Sequence, residues 1–193
     1  MRWKILIMAL VFGMFVHIVL LHSVSATTSV RVIELTKTSS TDIFSSWSPD
    51  GKRITFVSIL GEKSDIWIMD WDGRNKIRAT DSGKACDPRW SPDGSKIAFS
   101  WNHAGNFDIW VMDDDGKNKV QLTTDPAADL LPSWSPDGKR ILFISNRSGR
   151  WGLWVMDSNG EYKIHLNTPV EVMYAEWSPD GKRIAFSSGT DIW

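Results

Sequence analysis

Trp134-Ser135-Pro136-Asp137-Gly138-Lys139-Arg140-Ile141-Leu142-Phe143 is one of four near-copies of a single ten-residue phrase. The others run over 47–56, 90–99 and 177–186, each opening on Trp-Ser-Pro-Asp-Gly and closing on phenylalanine. Their tryptophans, Trp47, Trp90, Trp134 and Trp177, stand 43, 44 and 43 residues apart. Twenty residues after each of the first three comes a second tryptophan, in Asp65-Ile66-Trp67, Asp108-Ile109-Trp110 and Gly152-Leu153-Trp154. A period near forty with strand-like content marks an array of β-sheet blades.

Each repeat reads as four strands. The first ends at the Trp-Ser-Pro-Asp-Gly turn, where proline fixes φ and glycine supplies a positive one. The second carries Ile-x-Phe, with both residues on one face because strand side chains alternate. The third is Asp-Ile-Trp-Ile-Met-Asp over 65–70 and its copies over 108–113 and 152–157. Tight turns follow at Trp71-Asp72-Gly73, Asp114-Asp115-Gly116 and Ser158-Asn159-Gly160. The predicted strands are 43–48, 52–58, 64–70 and 75–80, then 86–91, 95–100, 107–113 and 118–123. The third set is 130–135, 139–145, 152–157 and 161–167, and the fourth is 173–178, 182–187 and a stub at 190–193. Residues 30–36 also alternate and end like 119–123 and 163–167, so they are expected to form an outer strand supplied from the amino terminus.

The fold class expected is therefore all-β: a β-propeller of about 43-residue, four-stranded blades, incomplete, with three full blades and part of a fourth. Six such blades need about 260 residues by repeat arithmetic, whereas residues 27–193 supply 167. The chain reads as a truncated array, exposing blade faces through which it is expected to self-associate.

Ahead of the repeats stand Arg2 and Lys4, an apolar run over 5–21, and Val24-Ser25-Ala26. This is the pattern of a secretory signal over 1–26, with a retained membrane anchor as the alternative, leaving 27–193 as the propeller part. Both place the repeats outside the cytoplasm, in the periplasm or beyond the cell. Beyond Ala26 the chain has 20 basic and 23 acidic residues. A mildly acidic surface without a basic stripe argues against nucleic acid. Cys86 is the only cysteine and reads as a small buried apolar residue. Most of the tryptophans recur in register and read as packing between blades. Trp71, Trp101 and Trp151 fall outside that register.

The phrase Trp-Ser-Pro-Asp-Gly-Lys-x-Ile-x-Phe, followed by Asp-Ile-Trp-Val-Met-Asp-x-Asp-Gly and then Leu-Thr, resembles the repeat of the TolB-like propellers over residues 30–193. That resemblance implies a six-bladed propeller working as an exported, non-catalytic binding module in the cell envelope, like TolB docking the lipoprotein Pal. The α/β domain that TolB carries before its propeller has no counterpart in this sequence. The same repeat occurs in the propeller of prolyl oligopeptidase relatives. The alternative is thus the amino-terminal propeller of a peptidase whose catalytic domain is missing.

No Gly-x-Ser-x-Gly phrase occurs, and His103 and His165 are the only histidines beyond the leader. No catalytic residue, metal ligand or cofactor is expected. Asp113-Asp114-Asp115-Gly116 superficially resembles a calcium loop, but it lacks the ligand spacing and closing glutamate and occupies a recurring turn. Asn146-Arg147-Ser148 is a formal glycosylation triplet.

Binding is expected where the repeats differ, on connections after the second and fourth strands of each blade. The expected partner-binding residues are Trp101 and Phe107, flanking one such loop, with Arg147, Arg150 and Trp151 in the next. Trp and Arg dominate binding surfaces because both offer large contact area. Asp42, Asp87 and Asp129 precede the inner strands, and Arg89, Tyr174 and Glu176 join them at the expected channel mouth. The partner expected is a protein or peptide.

Overall fold

The computed structural model describes residues 32–193 except Ala104. The expected signal or anchor segment, residues 1–26, lies outside the described residues. The chain divides into two units, one ending at Glu34 and one running from Leu35 to Trp193. Of the first, 32–34 are described and carry no strand.

Leu35–Trp193 builds four antiparallel sheets in sequence order. The first comprises β1 (Thr41–Trp47), β2 (Arg53–Leu60), β3 (Lys63–Asp70) and β4 (Ile77–Arg78). The second comprises β5 (Ala85–Trp90), β6 (Lys96–Trp101), β7 (Asp108–Asp113) and β8 (Val120–Gln121). The third comprises β9 (Asp129–Trp134), β10 (Arg140–Ser145), β11 (Gly152–Asp157) and β12 (Ile164–Leu166). The fourth has β13 (Tyr174–Trp177), β14 (Ile184–Ser188) and β15 (Asp191–Ile192). In every sheet each strand pairs with its neighbour in sequence, as a propeller blade requires. No helix occurs among the described residues.

Alternation along the second and third strands gives blades 1, 2 and 3 two buried faces each. Val57, Ile66 and Ile68 of blade 1 meet Ile97, Phe99, Trp101 and Met112 of blade 2. Ala98, Ile109 and Val111 of blade 2 meet Ile141, Phe143 and Met156 of blade 3. Leu142, Ile144, Leu153 and Val155 of blade 3 meet Val172 and Ala175 of blade 4. Phe99 and Phe143 have no exposed surface, and burying such a side chain stabilises by about 1.5–3 kcal/mol.

The Ser-Pro-Asp-Gly turn is closed by its own side chains. Ser48 Oγ accepts the Arg53 amide at 2.9 Å and donates to Asp50 Oδ1 at 2.7 Å. Asp50 Oδ1 accepts the Lys52 amide at 3.0 Å. The same pattern recurs around Asp93, Asp137 and Asp180. These contacts hold all four carboxyls below their ordinary pKa.

The outer strands are shorter than the sequence predicts, for reasons at both ends. Asn75, Asn118 and Tyr162 have φ of 50°, 48° and 49°, a left-handed backbone that interrupts a regular strand ladder. At the far end a threonine hydroxyl replaces the next rung. Thr80 Oγ1 accepts the Ile66 amide at 2.9 Å and Thr123 Oγ1 accepts the Ile109 amide at 2.8 Å. The inner strands β1, β5 and β9 also carry a bulge each, with left-handed Phe44, Asp87 and Leu131 at its centre, whereas β13 pairs in unbroken register.

Residues 32–36 do not form the expected outer strand, since no third strand among the described residues lies beside them to supply a ladder. Leu35 nevertheless takes the place of an outer strand's end. A Cβ on Gly73 would meet the Leu35 carbonyl oxygen at 3.0 Å, as one on Gly160 would meet that of Leu122 at 3.1 Å.

Candidate functional site

Trp101 ends β6 and faces the same way as Phe99, two residues earlier. It is buried, its ring 4.9 Å from that of Trp110 and 5.8 Å from Phe99, with its indole N–H donated to Ser82 Oγ. It fills the seam between blades 1 and 2 and is not part of an open aromatic platform with Phe107. Phe107 is half-buried. Beside it, Asn106 Nδ2 donates to the carbonyls of Asp125 and Ala127 at 2.9 and 2.7 Å, tying two variable loops together.

Arg147 turns inward. Its Nη2 lies 2.5 Å from Asp129 Oδ2, its Nε donates to Ser145 Oγ at 3.0 Å, and its guanidinium stacks 4.8 Å from the Trp154 ring. The side chain is 13% exposed and that of Asp129 is 0%. Asp129 is held inside the scaffold, and Arg147 is mostly covered by the contacts that bind it there. Arg150 is exposed, donating to the Thr168 carbonyl at 2.7 Å. Trp151 is half-buried against the blade 3–4 cluster.

Arg89, Tyr174 and Glu176 come together from blades 2 and 4. Arg89 Nη2 donates to the Tyr174 hydroxyl at 3.3 Å, and that hydroxyl donates to Glu176 Oε2 at 3.5 Å. Burial raises the Tyr174 pKa, against the pull of the Arg89 charge. Trp134 Nε1 donates to the Arg89 carbonyl at 3.1 Å, fixing the backbone from which the guanidinium projects.

The three aspartates lie within the inner strands β1, β5 and β9, not ahead of them, and do not share one register. Counting back from the blade tryptophans, Asp42 and Asp129 hold the same register, whereas Asp87 occupies the bulge. Asp87 Oδ2 accepts Ser100 Oγ at 3.2 Å; burial pushes its carboxyl up, partly offset by hydrogen bonds from Cys86 and Ser100. Burial and the Asp87 charge push the Cys86 thiol well above its ordinary value. Asp42 Oδ1 accepts Ser58 Oγ at 2.7 Å and Ser40 Oγ at 2.9 Å. Burial alone would raise Asp42, but hydroxyls of Ser58, Thr36, Ser40 and Thr38 outweigh it and bring it below the ordinary value.

Two recurring residues have a role the sequence reading missed. Asp65 Oδ1 accepts Thr80 Oγ1 at 3.0 Å and Asp108 Oδ1 accepts Thr123 Oγ1 at 3.1 Å, locking third strand to fourth. Blade 3 replaces both partners at once, with Gly152 and Asn167, and His165 stacks 4.8 Å from Trp154 in the room gained. That paired replacement is visible in the sequence. The three carboxylates of 113–115 point to three different cations, Lys96, Arg53 and Lys117. Among the described residues no group of three or more His, Cys, Asp or Glu is placed to hold a metal ion.

A family model of the TolB beta propeller domain matches residues 24–192. A structure from Agrobacterium tumefaciens assigned as TolB is 27% identical, with a TM-score of 0.68 over 80% of this chain and 61% of that one. TolB from Acinetobacter baumannii is 25% identical, with a TM-score of 0.69 over 82% of this chain and 41% of that one. The chain therefore spans less than two thirds of the length of either. Puromycin hydrolase, 17% identical with a TM-score of 0.63 over 75% of this chain and 24% of its own, shares the fold alone. A search of curated proteins finds no match.

Proposed function

The chain belongs to the TolB beta propeller domain family, and from that premise we propose that it is an exported, non-catalytic module that binds a protein or peptide of the cell envelope. The observation that carries this reading is the Arg89–Tyr174–Glu176 chain. A guanidinium, a phenol and a carboxylate from two blades converge on a rigid scaffold of inner strands, and all three remain half-exposed or exposed. Arg150, with Phe107 and Trp151 beside the variable loops, extends the surface. These residue types suit a mixed polar and aromatic contact, with Arg and Tyr as anchors.

Photo-crosslinking tests the reading. A crosslinker placed at Tyr174 or Arg150 should capture the envelope partner, while one at Asp50 or Asp93, in the recurring turns, should not. Capture confined to the turn positions would reverse the assignment. Export is tested apart from binding, by sequencing the amino terminus of fractionated material. Thr27 is expected, and an intact Met1 in a carbonate-resistant membrane fraction would replace cleavage by anchoring.

A further inference from the structure

One cradle recurs in register in blades 1 and 3. In blade 3, Asp129 pairs with Ser145 across β9 and β10, and Phe143 pairs with Trp154 across β10 and β11. In blade 1, Asp42 pairs with Ser58 and Phe56 with Trp67 at the same positions. Carboxylate, hydroxyl and two aromatic rings are thus repeated with their spacing intact. Blade 2 breaks the pattern: Ala85 pairs with Trp101, whose indole takes the space between blades.

The occupants differ. In blade 3 the cradle holds the Arg147 guanidinium, ion-paired to Asp129, bonded to Ser145 and stacked 4.8 Å from Trp154 and 5.5 Å from Phe143. The blade 1 residue two past the serine, where blade 3 has Arg147, is Leu60. Leu60 is 65% exposed, on the rim of a cavity of about 460 Å³ that Asp42, Ser58, Phe56 and Trp67 also line. That volume lies within the range of about 300–1,000 Å³ seen for ligand pockets. Asp42 is held by hydroxyls in place of a guanidinium.

We propose that the blade 1 cavity is a binding site for a guanidinium group, filled by an arginine side chain of a partner polypeptide. The chemistry is that of blade 3 supplied from outside. The carboxylate accepts charge-assisted hydrogen bonds, Ser58 retains a lone pair for the guanidinium Nε, and Trp67 offers its face to the cation. Of the three cations on the rim, Lys63, Lys76 and Arg78, two are engaged elsewhere. Arg78 is paired to Asp65 at 2.6 Å and Lys76 donates to the Leu35 carbonyl at 2.8 Å. Blade 3 accommodates Lys163 beside Arg147 in the same way, with the lysine pKa lowered by burial and by the Arg147 charge. The site is separate from the Arg89–Tyr174–Glu176 surface and stands or falls independently of it.

The test is an NMR titration of the full chain with N-acetyl-arginine amide, following the Trp67 indole, against N-acetyl-citrulline amide and N-acetyl-lysine amide. The arginine probe should bind, and neutral citrulline should bind about tenfold more weakly or worse. Asp42→Asn should weaken the arginine probe by a similar factor. Leu60→Arg, which restores the blade 3 arrangement from within, should abolish binding while keeping or raising the unfolding midpoint. Equal binding of arginine and citrulline, or no arginine binding up to about 50 mM, roughly the weak end for a single charged contact, would overturn the proposal. Full binding to Leu60→Arg would overturn it too. So would tighter binding of N-acetyl-aspartate amide, which would assign the cavity to an anion through Lys63.

Discussion

Arg147 Nη2 lies 2.5 Å from Asp129 Oδ2, and that carboxylate has no exposed surface. The two residues are 18 apart in sequence and meet because β9 and β10 pair at Asp129 and Ser145, two residues short of the arginine. Removing one partner leaves a buried charge alone. Arg147→Ala is therefore expected to destabilise the protein by about 3–5 kcal/mol, whereas replacing both partners by leucine should cost far less. Urea unfolding of the single and double variants checks this; equal losses in both would mean the pair adds nothing beyond packing.

Gly160 meets two demands at once. Its φ is +88°, and a Cβ would lie 3.1 Å from the Leu122 carbonyl oxygen of the preceding blade. At Gly138 φ is +70°, but a Cβ would meet nothing nearer than 3.8 Å. Gly138→Ala should cost about 1 kcal/mol from the left-handed backbone alone. Gly160→Ala should cost clearly more, because blades must separate as well. Thermal unfolding of the two variants decides between backbone strain and close approach.

The blade array was legible in the sequence because the Ser-Pro-Asp-Gly turn is local chemistry, closed within six residues by its own serine and aspartate. The seams between blades were not, since they join residues from different repeats, such as Ile68 with Ile97 and Val111 with Ile141. Trp101 was read as an exposed binding residue because it falls outside the tryptophan register. Counted instead from Phe99, it lies on the inward face, in register with Ser58 and Ser145. A position that varies between repeats can vary because it fills a seam in a different way, and loop variability alone does not separate that from binding. Arg147 is likewise engaged within its own blade, by Asp129 and Trp154, whereas Arg89, Tyr174 and Glu176 meet through a chain of hydrogen bonds between blades.

The turn carboxyls set the acid limb of stability. Asp93 accepts hydrogen bonds from Ser91 and the Ser95 amide, which hold its pKa below the ordinary 3.8. A carboxyl depressed in the folded state stabilises above its unfolded pKa, and the effect is lost as pH falls through the folded value. Asp93→Asn should lower the unfolding midpoint at pH 7, and the difference from wild type should shrink below pH 3.8. Asp87 has the opposite sign: burial raises its pKa, so its ionisation costs stability as pH climbs above 3.8. Asp87→Asn should gain on wild type between pH 4 and pH 7. Urea melts at three pH values check both.

The loop over 145–151 calls for a matched comparison. Arg150→Ala with Trp151→Ala is expected to lower partner affinity by about 2 kcal/mol or more. Trp151 also packs against the blade 3–4 cluster, so its loss should reduce stability as well. Calorimetry of the double variant is therefore read against Trp151→Ala alone at a temperature where both are folded. An unchanged affinity on adding Arg150→Ala would remove the arginine from the binding surface.

Arg89 offers the cleaner measurement. Its backbone carbonyl is held by the Trp134 indole, a contact that survives truncation of the side chain. What Arg89→Ala removes is the pull of its charge on Asp87 and one long hydrogen bond, at 3.3 Å, to a hydroxyl on another blade. A contact of that kind contributes on the order of 1 kcal/mol or less to folding. As an anchor for a partner the guanidinium is worth more, about 2 kcal/mol, because docking strips water from a group with five directed donors. The variant should therefore keep its unfolding midpoint within a few degrees, roughly what 1 kcal/mol corresponds to in a domain of this size, and lose about thirtyfold in affinity. Glu176→Gln keeps the shape and removes the charge at the end of the same chain, so it should alter the salt dependence of binding. If Arg89→Ala weakened folding and left affinity intact, the cluster would be a brace across the inner strands, and the partner would dock elsewhere.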